Sequence, residues 1–250
     1  MFKIVAGVSL GGTAFAGSAY YVYVKNSARQ TFSVSDAHRM QQFNDIAQSY
    51  DRKTRSQEFL LGIGRRRRQL IAQYANGDVL EVGAGTGRNI GLFDPTKVTS
   101  VTLCDQSEAM VAKMKQTLSE TRQKKVEGLK HTFIPCDANA LPFSNHSYDT
   151  VFDMFGLCSY TDPIKALQEM DRVCKPGGTI VLFEHGRGNR TWINEYLDKF
   201  APGHAQKWGC WWNREIRRTV RLAGLVPTEK EAYHFGTTHV LIVKKPKLQS

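Results

Sequence analysis

The sequence has too little cysteine, wrongly spaced, to build a disulfide-stapled or zinc-ribbon fold. Its five cysteines (Cys104, Cys136, Cys158, Cys174, Cys210) form no CxxC pair, and an odd number leaves one over in any pairing scheme. They are expected to be small buried apolar residues, with no metal site. Acid is scarce too. Against 34 Lys and Arg stand 23 Asp and Glu, a formal net charge of +11, and no acid precedes Asp36. Such a surface suits an anionic partner, whether nucleic acid, lipid headgroup or acidic substrate, without choosing among them. Internal repeats and low-complexity tracts are missing, which excludes solenoids and disordered linkers. What is present, 41% apolar residues in 250, is enough for one domain with a buried core.

One long apolar run occurs. Ile4 to Val24 carries no charge, and its 21 residues match the roughly 20 that a helix needs to cross hydrocarbon. Tyr20, Tyr21 and Tyr23 sit at its end, where amphipathic rings favour the headgroup layer, and Lys25 and Arg29 follow. A single-pass anchor over residues 4–24 is expected, then a basic linker over 25–42. A cleaved signal peptide is the rival, with Ala14-Phe15-Ala16 as its cleavage site; the apolar run continues past that site. The acid-free start suits mitochondrial import, though an Arg-rich amphipathic presequence is absent, and the endoplasmic reticulum is the alternative. Gly7 and Gly11 have small-xxx-small spacing, which leaves the oligomeric state open.

From about Asp36 to Asn76 the pattern is helical and basic, with Phe43, Ile46, Ala47 and Tyr50 at helical spacing. Arg65 to Arg68 spread four guanidinium groups around a helix, either as a solvated face or as a contact for anionic lipid near the anchor. Beyond Gly77 short apolar runs alternate with helical patterns. Strands are predicted at Val79–Val82, Val98–Cys104, Thr132–Pro135, Tyr148–Met154, Thr179–Glu184 and Thr238–Lys244. Helices are predicted after the first strand's glycine loop and at Glu108–Lys125, Ile164–Cys174 and Glu215–Ala223. Such alternation argues for an α/β fold, a mostly parallel sheet covered on both faces. The domain is expected to span 43–244, with a loose tail at 245–250.

Glu81-Val82-Gly83-Ala84-Gly85-Thr86-Gly87 carries the chemistry. Alternating glycines after a strand let the backbone turn and approach a ligand without Cβ obstruction. The spacing differs from the G-x-G-x-x-G dinucleotide fingerprint. Glu81 adds a carboxylate suited to a ligand bearing ammonium and sulfonium charges. Asp105 ends the next strand, where an acid accepts ribose hydroxyls, and Asp137 follows the third, placed to meet an adenine edge. Alone, each acid reads equally well as a turn or cap residue.

The glycine loop, Asp105, Asp137-Ala138, Leu141-Pro142-Phe143, Tyr148-Asp149 and Arg172-Val173-Cys174-Lys175-Pro176-Gly177-Gly178 resemble class I S-adenosylmethionine-dependent methyltransferases. Phe43-x-x-Ile46-Ala47-x-x-Tyr50-Asp51 is similar to the ubiquinone and menaquinone C-methyltransferases. Gly156-Leu157-Cys158-Ser159, Glu184-His185-Gly186 and Gly209-Cys210-Trp211-Trp212-Asn213 look like a fungal group of mitochondrial inner-membrane methyltransferase-like proteins and, more distantly, the membrane-anchored animal alkyl-thiol methyltransferases. The resemblance implies a Rossmann-like, seven-stranded sheet with its last strand antiparallel. It implies S-adenosyl-L-methionine as cofactor, with Gly83, Ala84, Gly85 and Gly87 under its methionine part and Glu81 serving its amino group. Asp105 and Gln106 would take the ribose side and Asp137 and Ala138 the adenine, with Tyr50 closing over the site.

Ligands in open α/β sheets sit beyond the strands' carboxyl ends, which places Asp153 to Cys158 and Glu184-His185 beside the methyl group. His185 is the candidate base, with Asp153 beside it, and His204 is a poorer one; the competing reading of His185 is a ring satisfying a strand-end carbonyl. Asp153 replaces the small polar residue usual in the quinone enzymes. Trp208, Trp211 and Trp212 suit a lid over a flat or greasy acceptor, or core packing. The leading function is methyl transfer to a small hydrophobic acceptor, a quinone-like ring or thiol, at a membrane. RNA methylation, less favoured because no nucleic-acid-binding module is visible, and a non-catalytic assembly factor keeping the fold are the alternatives.

Overall fold

The computed structural model describes residues 35–121 and 126–247. Three helices come first: α1 (Asp36–Ile46), α2 (Tyr50–Leu60) and α3 (Ile63–Tyr74). The side chain of Ser35 caps α1 by accepting from the His38 N–H. This helix therefore begins inside the stretch expected to be linker. The anchor expected at 4–24 lies outside the described residues, among which no helix is long and apolar enough to cross a membrane.

The sheet follows: β1 (Gly77–Val82), β2 (Val98–Asp105), β3 (Lys130–Pro135), β4 (Tyr148–Met154), β5 (Cys174–His185), β6 (Glu229–Tyr233) and β7 (Thr238–Lys244). Between them lie α4 (Glu108–Glu120), α5 (Pro163–Val173), α6 (Thr191–Trp208) and α7 (Ile216–Leu222). The strand order is β3-β2-β1-β4-β5-β7-β6. β1 to β5 pair in parallel, and β7 runs antiparallel to both β5 and β6. This is the expected Rossmann-like sheet, and β1 and β4, side by side, mark the point where strand order reverses. Crevices open there, beyond the carboxyl ends of the strands.

Two apolar layers hold the sheet. One packs Leu70 and Ile71 of α3 and Met114 of α4 against Val79, Leu103, Phe152 and Phe183. The other packs Leu167 and Met170 of α5 and Val220 of α7 against Leu80, Val151, Ile180 and Leu241. The central strands are buried on both faces, as covered parallel strands must be.

Four local expectations differ. The segment after the glycine loop is a series of turns ending in a short 3-10 helix, Ile90–Leu92, rather than an α-helix. Asn89 explains this: its side chain turns back to Glu81, so the chain serves the loop instead of winding onward. Helix α6 has no clear sequence signal, because Pro202 and Gly203 sit inside it and four aromatic residues obscure its period. Strand β6, Glu229–Tyr233, escaped because a charged edge strand has no apolar alternation. The tail is not loose at its start. Gly177 N–H donates to the Pro246 carbonyl, Lys245 N–H to the Gly178 carbonyl, and the Lys245 ammonium pairs with Asp171 at 3.0 Å.

Candidate cofactor and acceptor site

A cavity of about 1070 Å³ opens over the carboxyl ends of β1, β2, β4 and β5. Small-molecule sites span roughly 300–1,000 Å³, so this one has room for two ligands side by side. Its first half is polar. Gly83, Ala84, Gly85 and Thr86 line it, with Glu81, Asp105 and Gln106. At Gly85, φ is +58°, and a Cβ there would meet no atom within 4 Å, so the backbone faces open cavity. The Gly85 N–H donates to Asp105 Oδ2 at 3.0 Å, and the Ser107 N–H to Oδ1 at 2.9 Å. Each oxygen keeps a second lone pair for a ligand hydroxyl. Burial raises the Asp105 carboxyl above its usual range, partly offset by these N–H bonds and by Arg39.

Glu81 is 3% exposed. Its Oε1 accepts from Asn89 Nδ2 at 2.7 Å, and its Oε2 is buried without a partner. Burial pushes its carboxyl up to about 7, against the pull of Arg67 and the Asn89 bond. An orphaned acid facing a cavity is what an ammonium group would satisfy. Tyr50 lines the cavity from the start of α2, beneath the Arg88 guanidinium at 5.1 Å from the ring centroid. Arg88 in turn holds Asp51 at 2.6 Å and Glu58 at 2.5 Å, and Thr86 Oγ1 donates to Asp51 at 2.7 Å, which ties α2 to the glycine loop. Ala138 and Cys136 also line the cavity.

Two expected cofactor residues sit elsewhere. Asp137 is exposed and does not border the cavity; its Oδ1 accepts from the Asn139 N–H at 2.9 Å, so it shapes a turn. Gly87 points away from the cavity, and a Cβ there would strike Ile90 Cδ1 at 2.6 Å, so its role is packing.

The second half is apolar and aromatic, with Phe43, Tyr196, Phe200, Trp208 and Trp212. His204 stacks on Trp212 at 4.0 Å between ring centroids, and burial, then His185, lowers it to about 4, so its ring is neutral at physiological pH. His185 borders this half too. Its Nε2 lies 3.0 Å from Cys210 Sγ, with Cys158 alongside. Burial opposes the charged imidazole, but the Cys158 sulfur outweighs it, so His185 ends above its ordinary value. A hydrogen bond from Cys210 leads in lowering Cys158 well below the usual thiol range, with burial opposing and His185 assisting. The sequence predicted no metal site, yet Cys158, His185 and Cys210 bring their ligand atoms within 4.8 Å of one another. Spacing rules miss such groups because the donors come from three segments distant in the chain, the loop after β4, the end of β5 and the segment after α6.

Asp153 does not enter the cavity. It is fully buried behind it, beside Glu184, and its Oδ1 accepts from the Gly156 N–H while Glu184 Oε1 accepts from the Phe155 N–H, both at 3.0 Å. These bonds hold the turn in which Phe155 has φ +69°. Burial first, then neighbouring charge (Cys158 for Asp153, Asp153 for Glu184), raises both carboxyls well above their usual range. Asp153, expected beside the methyl group, thus holds this turn and does not border the cavity. Arg67 was also misplaced: the arginine run was read as surface, but Arg67 is 8% exposed and reaches Glu58 at 3.5 Å. The i, i+4 spacing from buried Ile63 to Arg67 to buried Ile71 was the available signal.

A family model described as methyltransferase domain matches residues 80–182. The mitochondrial methyltransferase OMS1 of Saccharomyces cerevisiae is 35% identical over 217 residues, covering 81% of this chain; the chain spans 45% of that relative's length. A demethylmenaquinone methyltransferase of Renibacterium salmoninarum is 34% identical over 173 residues, 66% of this chain and 68% of the relative. Among solved structures, a methyltransferase of Aquifex aeolicus aligns with TM-score 0.57 at 17% identity, covering 80% of this chain and 97% of that one. One from Leishmania major aligns with TM-score 0.60 at 13% identity, covering 83% and 81%. The glycine turn, the orphaned Glu81 and the Asp105 carboxylate fit S-adenosylmethionine, on which the Aquifex aeolicus and Leishmania major enzymes are described as dependent. This chain belongs to the S-adenosylmethionine-dependent methyltransferases of the Rossmann-like class.

Proposed function

We propose that the chain transfers the methyl group to a small hydrophobic acceptor, a quinone-like ring or an alkyl thiol, while held at a membrane. The observation that carries this reading is the continuity of one cavity from Glu81 and Gly85 to the aromatic wall of Tyr196, Phe200, Trp208 and Trp212. Glu81 would take the ammonium of the cofactor, Asp105 the ribose hydroxyls, and Tyr50 would cover them. The cofactor supplies a methyl group on an already activated sulfonium. The protein's share is therefore alignment and exclusion of water, which the aromatic wall provides. Where the acceptor must lose a proton, the group at hand is the paired His185 and cysteine sulfurs rather than a lone imidazole.

The membrane side of the proposal has its own support. Phe59, Leu60 and Leu61 at the α2–α3 tip are 83%, 81% and 47% exposed, and Arg65 and Arg68 are exposed on the following turns. Leu60 and Leu61 also border the cavity, so the rim suited to lipid is an entrance for greasy acceptors. Apolar tips flanked by arginines suit an anionic bilayer. The mitochondrial inner membrane is the proposed location, supported by the mitochondrial relative, with residues 4–24 as the proposed anchor.

Radiolabelled methyl transfer by the full chain in anionic vesicles tests the reading, with quinone-bearing lipid fractions, small alkyl thiols and RNA offered as acceptors. Gly85→Val is the inactive control, since its side chain would fill the space beneath the cofactor. Label in the lipid or thiol fraction supports the proposal. Label in RNA alone overturns it, and so does cofactor binding without transfer to any fraction.

A further inference from the structure

The Cys158, His185 and Cys210 cluster is built from the loop after β4, the end of β5 and the segment after α6. Hydrogen bonds tie the three segments together, with the Phe155 N–H donating to the Phe183 carbonyl and the Arg187 N–H to the Arg214 carbonyl, both at 2.9 Å. The Trp211 N–H donates to the Cys158 carbonyl at 2.9 Å, and Arg214 Nη2 donates to the Tyr160 carbonyl at 2.6 Å. Both sulfurs are nearly buried, at 2% and 7% exposure, yet all three residues line the cavity. Two thiols and an imidazole match the Cys₂His donor set of zinc centres that keep an open position. Tetrahedral zinc, with Zn–S about 2.3 Å and Zn–N about 2.0–2.1 Å, sets its sulfurs about 3.8 Å apart and each about 3.5 Å from the nitrogen. The observed spread, within 4.8 Å, closes to that geometry by shifts of about 1 Å or less.

We propose that Cys158, His185 and Cys210 bind one zinc ion whose fourth position faces the cavity and takes the sulfur of a small thiol acceptor. This rests on the methyltransferase reading of the cavity and narrows its acceptor to a thiol. The thiol replaces a water on zinc, a zinc–sulfur bond forms, and the S–H proton passes to solvent, because a bound cation holds a coordinating thiol deprotonated. The sulfur lone pair then forms the new S–CH₃ bond as the sulfonium C–S bond breaks, its electron pair staying on the departing sulfur. The neutral thioether is a weak ligand, and water returns to the metal. The same geometry accounts for an otherwise odd arrangement, two cysteines and a histidine gathered beside an aromatic pocket. Zinc-bound thiolate needs no separate protein base, which fits an Asp153 that is buried away from the cavity.

The test uses the full chain purified under reductant and freed of loose metal. Mass spectrometry of its metal content should find about one zinc per chain, falling at least about tenfold in the Cys158→Ser/Cys210→Ser double variant. Cobalt in place of zinc should show thiolate-to-metal charge-transfer absorption that butanethiol shifts and catechol, a flat ring of similar reach, does not. Calorimetry with S-adenosylhomocysteine on the same samples reads the cofactor half separately. Cofactor binding by a wild-type protein without stoichiometric zinc sinks this proposal alone. A Cys158–Cys210 disulfide persisting under reductant, or a cobalt spectrum moved by catechol rather than thiol, overturns it equally. Absence of cofactor binding, whatever the metal content, marks failure of the methyltransferase reading itself.

Discussion

Replacing Glu81 with Gln should remove a pH dependence that the wild-type cavity builds in. Without ligand the Glu81 carboxyl titrates at about 7, because burial outweighs Arg67 and Asn89. The cofactor's ammonium is held by the ionised form. Binding by the wild-type protein should therefore weaken about tenfold for each pH unit below about 7, equivalent to about 1.4 kcal/mol, and level off above about pH 8. Stability of the ligand-free protein moves the other way. The folded value lies above the ordinary 4.5, so between 4.5 and about 7 the unfolded chain binds fewer protons than the folded one, and stability falls as pH rises. The full loss is about 3 kcal/mol, or about 6–10 °C in Tm for a domain of this size. Calorimetric titration with S-adenosylhomocysteine and thermal melts at several pH values, on wild type and Glu81→Gln, measure both. In Glu81→Gln binding should be weak at every pH and the corresponding part of the Tm slope should vanish. Wild-type affinity that is flat from pH 6 to 8, or a variant that keeps the slope, would refute the assignment of Glu81.

Other expectations follow from the same geometry. Asp105→Ala should weaken cofactor binding by about 10- to 100-fold in equilibrium titration, the loss of a charged acceptor for ribose hydroxyls, while Asp137→Ala should leave affinity within about threefold. Asp153→Asn should retain its melting temperature at neutral pH, or raise it, because a neutral amide removes one of two buried carboxyls whose ionised forms oppose each other; a fall of more than about 10 °C in a thermal melt would contradict that repulsion. Phe59→Ser/Leu60→Ser and, separately, Arg65→Glu/Arg68→Glu should each reduce sedimentation of residues 35–250 with anionic vesicles, and only the second loss should mimic added salt.

The sheet was legible because its strands carry strong apolar runs and its ligand loop carries glycine in a spacing few other loops use. Residues whose job is read along the backbone, such as Gly85 and Asp105, fell where the sequence placed them. Residues whose job depends on tertiary approach did not. Asp137 follows a strand as expected, but it is exposed and does not border the cavity. Asp153 lies next to the end of β4 as expected, yet its side chain is buried behind the cavity, beside Glu184. Cys158 and Cys210 are 52 positions apart and are brought together by tertiary contacts such as the Trp211 to Cys158 backbone bond, so nothing local announces them. Helix α6 hid behind Pro202, whose missing N–H the long helix tolerates.

Helix α6 and the Gly209–Asn213 segment after it contribute the aromatic wall, whereas the loops following β1 and β2 contribute the polar floor. The two parts are separated in the chain by the whole of β3, β4 and β5. If the proposed division of the cavity holds, residues 191–213 can change as a cassette without disturbing the polar floor. Grafting that cassette between relatives is the engineering route the architecture invites.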